Sequence, residues 1–137
     1  MNISGMSRAL RRRPVQFAYL FGSQASGTAG ATSDTDVAVY LSDRLPRARW
    51  DAVEESIAEA LHRLKIPVGD LDLVVLNKVG LLLRFRVIHD GRLLCERAPA
   101  RRIRFEYQTM RDYFDFQYYS QRDARMAIDR VARWGFA

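Results

Sequence analysis

The chain has 137 residues, is 48% hydrophobic and carries a formal net charge of +6 from 22 basic and 16 acidic side chains. This length predicts one domain with a single hydrophobic core. The lone cysteine, Cys95, excludes an internal disulfide and is typical of a reducing compartment. Because no apolar run has the length of a membrane span or the pattern of a signal peptide, we expect a cytoplasmic protein.

Apolar runs and turn residues alternate along the chain and predict helices and strands in alternation. The predicted elements are a basic helix over 3–12, strands over 15–21 and 35–41, a helix over 43–65, a strand over 70–76, a helix over 81–88, a strand over 92–95 and a long helix over 98–133. This order predicts an α/β (α+β) fold, in which helices flank a mixed sheet. We expect one domain over 1–97 and a helical C-terminal extension over 98–137.

The end of the first strand and the start of the second carry the residues of greatest chemical interest. Gly22-Ser23 ends an apolar strand, and Asp34-Thr35-Asp36 opens the next strand after ten intervening residues, rich in Gly, Ala and Ser. Side chains two apart on a strand point the same way, so Asp34 and Asp36 present two carboxylates side by side. Adjacent carboxylates repel, and a hard divalent cation is the usual reason to keep them together. A lone Asp-x-Asp is more often a polar turn, but this combination predicts a magnesium site beside a phosphate-holding turn.

The same residues resemble the signature of the DNA polymerase β-like nucleotidyltransferases. Within that superfamily they most resemble the minimal nucleotidyltransferases (MNT), the small antitoxin partners of HEPN toxins. Segments 68–77 and 82–94 agree with the resemblance, which therefore spans residues 14–97. It implies a third carboxylate on the strand beside the Asp-x-Asp strand. Asp72 is the expected residue, and Asp70 is the alternative.

The resemblance also implies an activity and partners. It implies transfer of AMP from magnesium-bound ATP to a hydroxyl, expected to be a tyrosine, of a cognate HEPN ribonuclease toxin, which neutralises the toxin. Asp34, Asp36 and Asp72 would hold two Mg²⁺ ions, with Asp72 also helping to deprotonate the hydroxyl, and Gly22 and Ser23 would bind the nucleotide. We expect a hetero-oligomer with the toxin and no membrane or nucleic-acid partner.

Two positions depart from the family's pattern. Gln24 and Ser26 stand where small enzymes of this group often carry basic residues, which leaves less charge against phosphate. Arg84 and Arg86 are candidates for the missing charge. Two alternatives therefore stay open: an antitoxin that neutralises its partner by binding alone, or a small-molecule nucleotidyltransferase. The latter normally needs an extra substrate-binding domain, for which the residues after Arg97 leave little room.

The C-terminal helix is rich in aromatic residues. One set at helical spacing is predicted to pack on the chain's own domain: Ile103, Tyr107, Met110, Phe114 and Tyr118. A second set lies off that stripe and is predicted to form an interface with a partner: Phe105, Tyr113, Phe116 and Tyr119. The alternative is a bent helix or a helical hairpin that buries both sets.

Overall fold

A computed structural model describes residues 2–22, 35–64 and 71–135. Its elements are α1 (Ile3–Arg11), β1 (Val15–Phe21), β2 (Thr35–Leu41), a 3₁₀ turn (Arg47–Arg49) that leads into α2 (Trp50–His62), β3 (Leu71–Val75), α3 (Leu81–Asp90), β4 (Arg92–Glu96) and α4 (Pro99–Trp134). The predicted order of helices and strands is confirmed, and the bounds of β1 and β2 are those expected from the sequence.

The four strands form one mixed sheet in the order β3-β2-β1-β4. The central strand β1 pairs antiparallel with both β2 and β4, whereas β2 and β3 run parallel. The predicted α/β layer with a mixed sheet is therefore confirmed. No helix in the described part of the chain is long and apolar enough to cross a membrane.

Each face of the sheet carries its own hydrophobic cluster because successive strand side chains point to opposite faces. One cluster joins the sheet to α1 and α2 and is aliphatic, with Met6, Leu10, Ile57 and Leu61 all fully buried. Cys95 also lies in this cluster, in line with a packing role, and burial raises the pKa of its thiol.

The opposite face is aromatic and receives α3 and α4. Phe17 of β1 stacks on Tyr40 of β2, with ring centroids 4.8 Å apart and planes 2° apart. Phe105 of α4 packs on both, at 5.3 Å and 5.2 Å. Offset and tilted rings at these distances contribute attraction beyond the area that they bury. This cluster fixes the position at which α4 crosses the sheet.

Polar contacts hold the first turns of α4 in the same place. The Tyr19 hydroxyl donates to Glu106 Oε1 at 2.6 Å, and Arg102 Nη1 donates to the same oxygen at 3.0 Å. Arg102 also pairs with Glu96 of β4. Burial, then the hydrogen bond to Glu106, raises the pKa of the Tyr19 phenol. The start of α4 is thus tied to two strands.

The prediction of a helix from residue 43 to 65 is wrong at its start. The backbone at Pro46 is extended (φ −60°, ψ 144°), and helical geometry begins only after it. Asp43 is held in a turn instead, because it accepts hydrogen bonds from the Tyr40 hydroxyl at 2.9 Å and from Arg101 Nε at 2.7 Å. The far end of the predicted helix, Lys65, lies outside the described residues.

The prediction of which face of the C-terminal helix meets the domain is also wrong. Phe105 and Thr109 are buried, and Tyr113 stacks on Phe85 with centroids 3.6 Å apart. The stripe that was expected to be buried is instead exposed, at 41–63% for its members Ile103, Tyr107, Met110, Phe114 and Tyr118. Since α4 runs unbroken to Trp134, the bent-helix and hairpin alternatives are wrong as well.

We predict that Phe105→Ala destabilises the fold by about 3–5 kcal/mol, because it removes a buried ring from the aromatic cluster and leaves a cavity. Urea unfolding followed by tryptophan fluorescence measures the change. Phe116→Ala is the matched control on the same helix, because Phe116 is 49% exposed, and it should shift stability by less than about 0.5 kcal/mol. Equal losses for the two variants would contradict the assigned face of α4.

Candidate active site

Two of the predicted carboxylates meet at the start of the parallel strands. Asp36 of β2 is the register partner of Asp72 of β3. Register partners on neighbouring strands lie about 4.8 Å apart and point to the same face of the sheet. That face is the aromatic one, because Ala38 and Val74, two residues further along each strand, belong to its cluster. Asp36 is half-buried and Asp72 is exposed, so one side of the pair is open to an incoming molecule.

Gly22 closes the site on the side of β1. Phe21 pairs with Asp36 across the antiparallel ladder, and Gly22 follows it with φ +75°, in the left-handed region that glycine adopts at no steric cost. A Cβ built on Gly22 would overlap Asp36 Oδ2 and would lie 3.3 Å from Asp36 Cγ. Glycine is therefore required here both by the backbone and by the carboxylate beside it.

The remaining predicted site residues, Ser23 and Asp34, lie outside the described residues, as does Asp70, the alternative third acid. Within residues 2–22, 35–64 and 71–135, no three His, Cys, Asp or Glu side chains are close enough together to hold a metal ion. What those residues do provide is a pair of carboxylates on one face, with a glycine turn against one of them. Carboxylate oxygens are the donors that magnesium prefers, so this pair fits such an ion.

The register that unites the two aspartates is fixed at the other end of the strands by Asn77. The backbone N–H of Leu41 donates to Asn77 Oδ1 at 2.8 Å, and Asn77 Nδ2 donates to the carbonyl of Leu41 at 3.2 Å. The amide side chain thus extends the β2–β3 ladder beyond its last strand residue. A slip of one residue would turn Asp72 to the opposite face.

Arg84 and Arg86, the candidates for the missing positive charge, both contact other residues. Arg84 Nε donates to the carbonyl of Leu76, beyond the far end of β3, at 2.9 Å, and its guanidinium lies over the Phe105 ring at 5.5 Å. Arg86 is 72% exposed and lies 4.0 Å from Asp90.

A third arginine, Arg92, reaches the same end of the sheet as Gly22 but lies on its other face. It is exposed and is the register partner of Leu20, which belongs to the aliphatic cluster opposite the face of Asp36 and Asp72. The β4–β1 register that brings it to this end of the sheet is not visible in the sequence.

A mixed sheet with a glycine turn after one strand and register-paired aspartates on the next two has the fold of a nucleotidyltransferase. The chain belongs to the family described as Polymerase beta, Nucleotidyltransferase, whose model matches residues 6–100. That match extends over most of the sheet and its helices and ends at the first residues of α4.

Individual relatives point to one branch of this family. The protein adenylyltransferase MntA of Shewanella oneidensis is 37% identical over 81 residues, which are 58% of this chain and 53% of the relative. The chain thus spans about half the length of that curated relative.

Solved structures agree over a longer stretch. A chain of a toxin–antitoxin complex determined with AMP-PNP is 29% identical with a TM-score of 0.68, and the match covers 93% of this chain and 99% of that one. A chain of a complex between a tri-AMPylated Shewanella oneidensis HEPN toxin and an MNT antitoxin is 27% identical with a TM-score of 0.61, over 93% and 96% of the two chains. The resemblance to minimal nucleotidyltransferases drawn from the motifs is confirmed.

We predict that Gly22→Ala weakens binding of magnesium–nucleotide by at least about tenfold, because alanine would force the Asp36 carboxylate aside and would cost about 1–3 kcal/mol at positive φ. Calorimetric titration and urea unfolding measure the two effects. Gly80→Ala is the matched control, since a Cβ at Gly80 meets no atom within 4 Å. Binding by Gly22→Ala at wild-type strength would show that the carboxylate does not depend on this glycine.

We predict that Asn77→Ala lowers the free energy of unfolding by about 1–3 kcal/mol, because it leaves the Leu41 N–H and carbonyl without partners. Asn77→Asp keeps the acceptor for the N–H but sets a carboxylate oxygen against the Leu41 carbonyl at neutral pH, so its loss should be the larger of the two. Chemical denaturation of the three proteins tests this order. If the two substitutions cost the same, the amide is not bonding through both of its ends.

Proposed function

We propose that this chain is a protein adenylyltransferase that acts as an antitoxin, transferring AMP from ATP to a hydroxyl of a HEPN toxin. The single observation that carries the chemistry is the register pairing of Asp36 with Asp72, beside the turn at Gly22. The choice of substrate and partner is supported by the likeness to MntA and to chains of toxin–antitoxin complexes, one with AMP-PNP and one with an AMPylated toxin.

The carboxylates are assigned to two magnesium ions. Asp36 and Asp72 face the same side and offer hard oxygen ligands, and Asp34, two residues before Asp36 in the sequence, is the third proposed ligand. Magnesium ions bound there would neutralise the triphosphate and orient its α-phosphorus for displacement. Gly22 and Ser23 are proposed to receive the phosphates, since a glycine backbone admits a close approach of its amides.

The chain's own residues then account for the transfer. Asp72 is exposed and can accept the proton of an incoming hydroxyl, while the half-buried Asp36 keeps its place beside Gly22. The hydroxyl oxygen forms a new bond to the α-phosphorus, the bond from that phosphorus to the β-phosphate oxygen breaks, and pyrophosphate leaves.

The remaining parts of the proposal concern domain organisation and cellular location. The nucleotidyltransferase domain is assigned to residues 1–97, and the extension over 98–137 is assigned to packing on that domain and to contact with the toxin in a hetero-oligomer. A cytoplasmic location is part of the proposal and is supported by the single, buried cysteine.

We predict that Asp36→Asn and Asp72→Asn each lower AMP transfer by at least about 100-fold while leaving thermal unfolding nearly unchanged, because each removes a carboxylate that the reaction uses. The assay incubates the chain with a HEPN toxin, magnesium and ATP labelled at the α-phosphate. Asp51→Asn is the matched control, because that carboxylate is 92% exposed on α2 and pairs only with Lys78 among the described residues.

The position of the label separates the possible functions. Label from α-labelled ATP on the partner, with γ-label released as pyrophosphate, supports adenylyl transfer. Label from the γ-position on the partner would mean phosphoryl transfer and would contradict the proposal. Inhibition of the partner without any label, unchanged in Asp36→Asn, would favour neutralisation by binding alone.

A further inference from the structure

The outward face of α4 carries an apolar stripe that the chain's own domain leaves largely exposed, although Phe114 meets the Phe85 ring of α3 edge-on at 6.1 Å. We call it the outer stripe and define it by six residues that are each 41–69% exposed: Ile103, Tyr107, Met110, Phe114, Tyr118 and Ile128. Gln121 and Arg125 continue the same three- and four-residue spacing between Tyr118 and Ile128. From its first to its last residue the outer stripe is about 38 Å long at 1.5 Å per residue.

The outer stripe lies opposite the face that packs on the sheet. Phe105 is buried and Phe114 is 56% exposed, although both are aromatic and lie on the same helix. Nine residues separate them, which is about two and a half turns of an α-helix, so they point in opposite directions. Because contacts at Phe105 and Glu106 already fix the start of α4, the helix cannot roll to bury the stripe without breaking them.

The spacing of the stripe indicates the shape of what covers it. Apolar residues that alternate three and four apart form the seam by which two helices pack side by side. Tyrosine, phenylalanine and methionine are enriched in such contacts, and a monomer rarely exposes so long an apolar face without a partner. The complementary surface is therefore another helix with an apolar seam of its own.

The charges beside the stripe indicate the chemistry of that helix. Arg104, Arg111 and Arg122 follow one another at intervals of seven and eleven residues, and both intervals return to the same flank of a helix. Asp115 lies on that flank as well, so the row has three basic residues and one acidic residue. Arg111 meets Asp112 at 3.3 Å, an exposed pair of the kind that contributes little. A basic row beside an apolar seam favours carboxylates on the facing helix, whereas a second copy of this chain would bring the same net charge of +6.

We infer that the outer stripe is the docking surface for an amphipathic helix of the HEPN partner, with acidic residues beside its apolar seam. The identity of the partner rests on the proposed function, but the surface does not depend on catalysis. Docking here would hold the partner on the helix that crosses the same face of the sheet as Asp36 and Asp72.

The test uses two double variants of the full-length chain with matched composition. Phe114→Ser with Tyr118→Ser removes two members of the outer stripe, and Phe116→Ser with Tyr119→Ser removes an equally exposed phenylalanine and tyrosine from other faces of α4. Affinity for a HEPN toxin is measured by calorimetry. We expect the stripe variant to bind at least about 30-fold more weakly and the control to bind as the wild type does. Arg122→Glu should also weaken binding and flatten its salt dependence, and Arg130→Glu, on another face, should not.

Several outcomes would overturn the inference. If the two double variants bind the HEPN toxin with equal affinity, the outer stripe is not the docking surface, even if the wild type transfers AMP. Self-association of the lone wild-type chain in sedimentation, abolished by the stripe variant, would assign the stripe to a second copy. A further outcome separates the inference from the proposed function. Loss of binding in the stripe variant, together with no transfer of label to the partner by the wild type, would support the docking surface and contradict the adenylyl transfer.

Discussion

The site depends on the parallel pairing of β2 with β3. Asp36 and Asp72 are 36 residues apart in the chain, and only this register makes them neighbours on one face. Two carboxylates on neighbouring strands repel each other, so other contacts must hold the pairing of β2 with β3. The strands supply them, through apolar residues further along β2 and β3 and through the Asn77 amide at the far end. The hydrophobic core thus offsets the repulsion between the two carboxylates, and a bound cation would replace that repulsion with attraction.

The aromatic face joins the two functional parts of the molecule. Ala38 and Tyr40 follow Asp36 along β2 at intervals of two residues, so their side chains point to the same face of the sheet. Since α4 packs on that face, it shares the face with the carboxylates. Phe105 and Glu106 orient the helix, and that orientation sends the outer stripe away from the domain. A partner bound along the stripe would be placed by the same contacts that build the core. The proposed docking surface and the pair of carboxylates are therefore positioned by one set of aromatic side chains.

Local patterns predicted the strands and the candidate acids on them, because buried strands with Gly-Ser and Asp-x-Asp at their ends leave a strong signal over a few residues. The start of α2 was predicted too early because Asp43 accepts hydrogen bonds from Tyr40 and Arg101. Arg101 is 58 residues away in the chain, beyond the reach of a local pattern. The buried face of α4 was misjudged for a similar reason. Both faces of this helix are apolar, and the choice between them is made by rings on β1 and β2.

The second half of α4 has a further consequence for the lifetime of the protein. From Asp115 to Ile128 every residue is exposed, so this stretch gains little stability from the core and opens at a lower free energy than the turns around Phe105. Proteases cleave opened segments, and a partner that binds only the closed helix reduces the opened population by mass action. The chain without its partner would therefore be degraded from this end first, whereas the assembled chain would persist.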